Sequence, residues 1–256
     1  MMLTLIQPDI IWENPSANME AYTRMFNSIE NQVDVILLPE LFSTGFTMQS
    51  QDLAEPMEGT TMKWMSAQAS HLRCDLAGSL IIMENGNYYN RLIWMRQDGS
   101  YGYYDKRHLF RMSGENEHYS HGSKPLIVEV KGFRIKPLVC YDLRFPVWSR
   151  NRQDYDILIY LANWPAPRRD VWLALLKARA IENQAYLIGV NRVGKDGMGI
   201  EYHGDTMALD AKGQIIASIE PGKPGLQTIN LSLEKLTAFR KKFPVWKDAD
   251  LFTLPD

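Results

Sequence analysis

Residues 2–40 read MLTLIQPDIIWENPSANMEAYTRMFNSIENQVDVILLPE, and the fold is decided in this stretch. Met2 to Gln7 is a continuous apolar run ended by Pro8-Asp9, which predicts a buried strand. Asn14 offers an oxygen to the free N–H groups of a helix start, and Pro15 fits the first turn. From there Met19, Tyr22, Phe26 and Ile29 recur at three- and four-residue spacing, so one helix face packs on a sheet. Val33 to Leu38 is a second apolar run, closed by Pro39-Glu40. A strand, a helix and a strand in this order form a βαβ unit, whose crossover makes the two strands parallel. Strands this apolar are covered on both faces.

The alternation continues downstream. Thr60 or Thr61 is expected to cap a helix running to Leu72, with a strand from Cys74 to Met83. Tyr88 to Arg96 and Tyr101 to Lys106 flank the turn Gln97-Asp98-Gly99-Ser100 as a hairpin. Residues 107–125 carry Gly114, Gly122, Pro125 and many polar side chains, the composition of a long ordered loop, and such loops are usually functional. Ile127 to Val130 and Phe133 to Cys140 form a second hairpin across Lys131-Gly132. Pro137 cannot donate to a ladder, so its strand needs an edge position or a bulge there. A helix is expected from near Leu143 to Arg152, another over Asp170 to Asn183, and a last one capped by Ser232. Asp156 to Ala162, Ala185 to Val193, Tyr202 to Leu209, Ile215 to Ile219 and Leu226 to Asn230 read as strands. No linker composition or charge break divides the chain. The expectation is an α/β fold in one domain, residues 1–256, with two packed sheets, helices outside them and a tail from about residue 243.

Composition narrows the function. The chain has 256 residues, 45% apolar and 23% charged, with a net charge of −2, which gives no electrostatic case for nucleic acid or an anionic membrane. No run reaches the roughly 20 apolar residues of a membrane span, and the first residues lack the basic region of a signal peptide. Two cysteines, Cys74 and Cys140, are too few for a disulfide framework, so a reducing cytoplasm is the expected setting. The five histidines show no HxH or HExxH spacing that would hold zinc.

Two apolar strands end in reactive groups, LLPE at Glu40 and LVC at Cys140, and the hairpin arm YGYYDK ends in Lys106. Groups at strand ends can converge on one rim of a sheet however far apart they lie in sequence. A helix after Cys140 would aim N–H groups and a positive dipole end at the sulfur, favouring thiolate. Together the three suit acyl transfer through a thioester. Cys140 attacks, Glu40 moves the proton, and Lys106 with the Tyr141 N–H stabilises the oxyanion. Taken singly, each has a plain structural reading: a paired acid, a solvated lysine, a thiol that fills the core.

The flanking residues resolve that ambiguity. LPELFSTGF around Glu40, YDKRHLF around Lys106 and VCYDLRFP around Cys140 together resemble the nitrilase superfamily of carbon–nitrogen hydrolases. LANWP, KARAIENQAYLIGVNRVG and ALDAKGQI extend the similarity from about residue 2 to about residue 231. The resemblance implies a nitrilase-like αββα four-layer sandwich, a Glu40-Lys106-Cys140 triad, no metal or organic cofactor, and a homodimer. It also implies a second glutamate after the lysine motif that orients the lysine and the substrate. Glu115 is the match, with Glu117 the competing choice. Cys74 matches no motif and reads as a buried apolar residue.

Within that superfamily the chain is most similar to the omega-amidases, which hydrolyse the terminal amide of small 2-oxo acids such as 2-oxoglutaramate. A substrate carboxylate needs a cation, and Arg144 and Arg168 are the candidates. Arg144 also has a structural reading as an ion-pair partner. Phe46, Tyr104, Tyr141 and Trp164 are expected to wall a small pocket. Other branches, acting on N-carbamoyl compounds, aliphatic amides or nitriles, would keep the same triad. A silent binding protein retaining the fold is the remaining alternative.

Overall fold

The computed structural model describes residues 1–254. Its strands are β1 (Met2–Gln7), β2 (Val35–Leu37), β3 (Asp75–Glu84), β4 (Asn87–Met95), β5 (Tyr101–Asp105), β6 (Val128–Val130) and β7 (Phe133–Val139). There follow β8 (Ile157–Leu161), β9 (Tyr186–Val190), β10 (Val193–Lys195), β11 (Glu201–His203), β12 (Met207–Leu209), β13 (Ile215–Ser218) and β14 (Gly225–Asn230). The helices are α1 (Pro15–Phe26), α2 (Ser50–Leu53), α3 (Thr60–Leu72), α4 (Glu115–His118), α5 (Pro146–Ser149), α6 (Arg169–Asn183) and α7 (Leu233–Lys242).

Two six-stranded sheets form the centre, in the orders β14-β1-β2-β3-β4-β5 and β13-β12-β9-β8-β7-β6. In each, three parallel strands occupy the middle and antiparallel strands the flanks: β1-β2-β3 in the first sheet, β7-β8-β9 in the second. The period of two along β2 explains the layering. Val35 and Leu37 join the core between the sheets, while Ile36 and Leu38 face Tyr22, Phe26, Met62 and Met65 of α1 and α3. On the far side Trp172, Leu176 and Ala180 of α6 and Leu236 of α7 cover the second sheet. The result is the expected αββα sandwich. Among the described residues no helix is long and apolar enough to cross a membrane.

Several local expectations need correction. The helix over Leu143–Arg152 is absent. A 3-10 turn at Cys140–Arg144 is followed by the four residues of α5. Pro146 forces the residue before it out of the helical region, and Phe145 has ψ 87°. The expected strand Tyr202–Leu209 is broken into β11 and β12, because Gly204 and Asp205 both take positive φ. A Cβ on Gly204 would lie 2.2 Å from Gln7 Oε1. Thr60 and Thr61 do not cap α3. Its N-cap is Gly59, and Thr61 donates instead to the Glu55 carboxylate through both its N–H and its hydroxyl. Pro137 has its edge position, since β6 pairs with β7 only as far as Ile135. The loop 107–125 holds a 3-10 turn and α4. In the tail, Arg152 lies 4.2 Å over the Phe252 ring of its own chain. Pro255 and Asp256, the end of that expected tail, lie outside the described residues.

Candidate active site

The three strand-end groups meet at one rim. Glu40 follows β2, Lys106 follows β5 of the same sheet, and Cys140 follows β7 of the other sheet. Glu40 is 0% exposed, Lys106 1% and Glu115 0%. Lys106 Nζ donates to Glu40 Oε1 at 2.8 Å and to both Glu115 oxygens at 2.9 Å. Glu115 is brought there by α4 and accepts from the Phe110 N–H, whereas Glu117 is exposed to solvent. A buried ammonium is tolerated here because two carboxylates surround it. Burial alone would lower the Lys106 pKa, but Glu115 and Glu40 outweigh it and hold the group charged. Burial, opposed by Lys106 and aided by Glu40, raises the Glu115 pKa.

Cys140 sits at φ +41°, a left-handed backbone that an L-residue keeps only where surrounding contacts enforce it. That geometry turns the chain sharply off β7 and presents the sulfur to the cavity. Cys140 Sγ lies 3.9 Å from the Asn163 carbonyl and faces the Glu40 carboxylate. Burial, then the negative charge of Glu40, push the thiol well above its usual range, against the pull of Lys106. Burial and Glu40 thus favour the thiol over the expected thiolate, and the helix dipole expected to oppose them is missing, because a single 3-10 turn follows β7. Sulfur attack on a carbonyl must then be concerted with proton transfer to a base, and Glu40 is the carboxylate in reach.

A cavity of about 500 Å³ opens above these groups, lined among others by Phe46, Lys106, Cys140, Tyr141, Asn163 and Trp164. A family model for carbon-nitrogen hydrolases matches residues 2–241.

The chain belongs to the carbon-nitrogen hydrolase family.

It is 45% identical to omega-amidase YafV of Escherichia coli strain K12, over 99% of this chain and 98% of that protein. It is 31% identical to the 2-oxoglutaramate amidase of Bacillus subtilis, over 96% of each. The crystal structure of a CN-hydrolase superfamily protein from Xanthomonas campestris, with an arsenic adduct in its active site, matches with a TM-score of 0.97. That protein is 40% identical and the match covers 100% of this chain and 99% of the other.

In this carbon-nitrogen hydrolase, Arg144 and Arg168 also line the cavity, at its mouth. Arg144 lies 5.4 Å over the Trp164 ring and Arg168 5.1 Å over the Phe110 ring. Among the described residues neither has a carboxylate partner, so the ion-pair reading of Arg144 fails. Tyr104 is misplaced by the sequence reading. It is fully buried beneath the rim, bonded to Asp142 and Trp148, and does not line the cavity. Sequence reasoning also missed Asn90 and Asn163. Asn90 Nδ2 donates to Glu40 at 2.8 Å and to Glu115 at 3.3 Å. The Asn163 N–H donates to Glu40 Oε2 at 2.9 Å, and its Nδ2 to the Glu40 carbonyl. The only sequence signal for Asn163 was its place in LANWP, at the end of the strand beside β7. Cys74 is buried apart from the rim, where burial pushes its thiol up to about 12.

Proposed function

We propose that this chain hydrolyses the terminal amide of a small 2-oxo dicarboxylic acid monoamide, of the 2-oxoglutaramate or 2-oxosuccinamate type, through a thioester on Cys140. One observation carries the reading. A hydrogen-bonded Glu40-Lys106-Glu115 cluster lies at the floor of the cavity beside Cys140, while two guanidinium groups with no carboxylate partner among the described residues stand at its mouth. The floor suits acyl transfer, and the mouth suits a carboxylate. The 45% identity to an omega-amidase supports the same substrate class.

In this mechanism Cys140 Sγ attacks the amide carbon as Glu40 takes the thiol proton. The oxyanion develops beside Lys106 Nζ and the Tyr141 N–H. Collapse breaks the C–N bond, and Glu40 returns its proton to the nitrogen, so ammonia leaves. Water then attacks the thioester while Glu40 again removes a proton. The second collapse releases the carboxylate and restores the thiol. Glu115 keeps Lys106 charged and aimed. Phe46, Tyr141 and Trp164 wall the acyl group and exclude bulk water.

The chain acts as one catalytic unit with a tail from about residue 243, works in the cytoplasm and assembles as a homodimer. Exposed Val147 on α5 and Ile181 on α6 support the last point, because these helices are joined by Arg150 Nη1 donating to the Glu182 carbonyl. Light scattering after size exclusion tests it.

The substrate test is ammonia release from 2-oxoglutaramate, glutamine, an N-carbamoyl amino acid and a simple nitrile. A clear preference for the oxo-acid amide is expected. Preference for the carbamoyl compound or the nitrile removes the proposal.

A further inference from the structure

We propose that Asp142 is a positioning residue, fastening the turn that carries Cys140 to the segment that carries Lys106. The carboxylate is fully buried and accepts four hydrogen bonds. One comes from its own segment, the Val139 N–H at 3.0 Å, which closes the turn across Cys140. Three come from the other segment: Tyr104 Oη at 2.8 Å, the His108 N–H at 3.1 Å and His108 Nδ1 at 2.7 Å. An acceptor-only carboxylate requires a proton on that imidazole nitrogen.

The spacing is what gives these bonds their meaning. Tyr104 and His108 stand two residues before and two after Lys106, and Val139 and Asp142 stand on either side of Cys140. β5 and β7 belong to different sheets, so the carboxylate bridges the two layers at the rim where the site lies. The partners are themselves fixed. Tyr104 Oη accepts from Trp148 Nε1 at 3.0 Å and from the Arg107 N–H at 3.1 Å, which fills both its lone pairs. His108 stacks on Phe145 with ring centres 3.8 Å apart. Asp142 therefore acts on the reaction through two other groups: it holds Cys140 in its left-handed backbone and sets the distance from its sulfur to the Lys106 ammonium. A residue that merely capped the turn would need only the Val139 bond.

This inference rests on Cys140 and Lys106 being the reacting pair, and the experiment separates the two claims. Tyr104→Phe, Asp142→Asn and the double variant are compared by steady-state ammonia release, with Cys140→Ala as the control. Each single change should lower kcat about 100-fold while KM stays nearly unchanged, the signature of misplaced reacting groups. The double variant should lose no more than the worse single, because both cut the same link. Losses that multiply, or a full-rate Tyr104→Phe beside an inactive Cys140→Ala, overturn the inference alone. Activity retained in Cys140→Ala breaks the triad reading instead. If Asp142→Asn does not fold, Tyr104→Phe combined with His108→Gln replaces it, with the same expectation and the same overturning results.

Discussion

The floor and the mouth of the cavity solve opposite problems. At the floor each charged group is buried and hydrogen-bonded: Lys106 to Glu40 and Glu115, with Asn90 and Asn163 completing the carboxylates. At the mouth Arg144 and Arg168 rest on aromatic faces with no carboxylate partner among the described residues, and Met198 is 77% exposed. A dry, fully paired cluster keeps catalytic groups in place and pays no reorganisation when charge develops on substrate. A rim whose guanidinium groups lack a carboxylate leaves room for an entering anion to complete them. Chemistry is therefore built into the floor, and selectivity into the mouth.

Mutations can break this division at four levels. Cys140→Ala removes the nucleophile and should lower ammonia release by about 10⁴-fold or more. Its thermal midpoint should stay near that of the parent protein. Retained turnover would show that the floor is not where the bond is cut.

Lys106→Met should destabilise the fold by about 3–5 kcal/mol at pH 7, because two buried carboxylates lose their cation. The sign with pH follows from proton uptake. The Glu115 pKa is already raised by burial, and losing the ammonium raises it further. A raised folded value gives stability that is complete below the unfolded carboxyl range, near pH 4, and is lost as pH rises through the folded value. Denaturant titrations should show the penalty shrinking as pH falls from 7 towards 4. A penalty independent of pH would mean the cluster is not electrostatically closed.

Glu115→Gln keeps the shape but takes one charge from Lys106. A loss of about 10²–10³-fold in kcat is expected, in the range for a removed oxyanion contact. If only KM moved, Glu115 would belong to the mouth.

Arg144→Gln and Arg168→Gln should have the smallest effect, about a tenfold rise in KM for 2-oxoglutaramate from each, with kcat little changed. A neutral amide should be turned over as before. Equal losses on neutral and anionic substrates would mean that neither guanidinium reads a carboxylate.

Legibility in the sequence followed the same line. β1 and the start of α1 were readable to the residue, because local pattern and capping decide them: Asn14 accepts from the Ala17 N–H as its position required, although the helix ends at Phe26, short of Ile29. Glu40, Lys106 and Cys140 could be singled out because each ends a strand or hairpin arm. Asn90 and Asn163 could not be, since their meaning lies in partners 50 and 123 residues away. Tyr104 was misread for a related reason. Alternation along β5 marks a residue as inward, but cannot say whether inward is the cavity or the seam beneath it. The helix after Cys140 failed because Pro146 and the Asp142 carboxylate act against propensity within five residues of each other.

The register of the first sheet joins β1 to β14, Met2 opposite Asn230 through Gln7 opposite Gly225. During synthesis the opening strand thus leaves the ribosome more than two hundred residues ahead of its outer neighbour. Until then one side of an apolar strand presents bare N–H and C=O groups, the kind of edge that recruits foreign strands. A chain halted before residue 225 keeps that edge permanently. Although Glu40, Lys106 and Cys140 all emerge much earlier, the sheet that carries two of them is sealed only once β14 has emerged. Released fragments ending at residue 224 and at residue 231 should differ sharply in protease resistance.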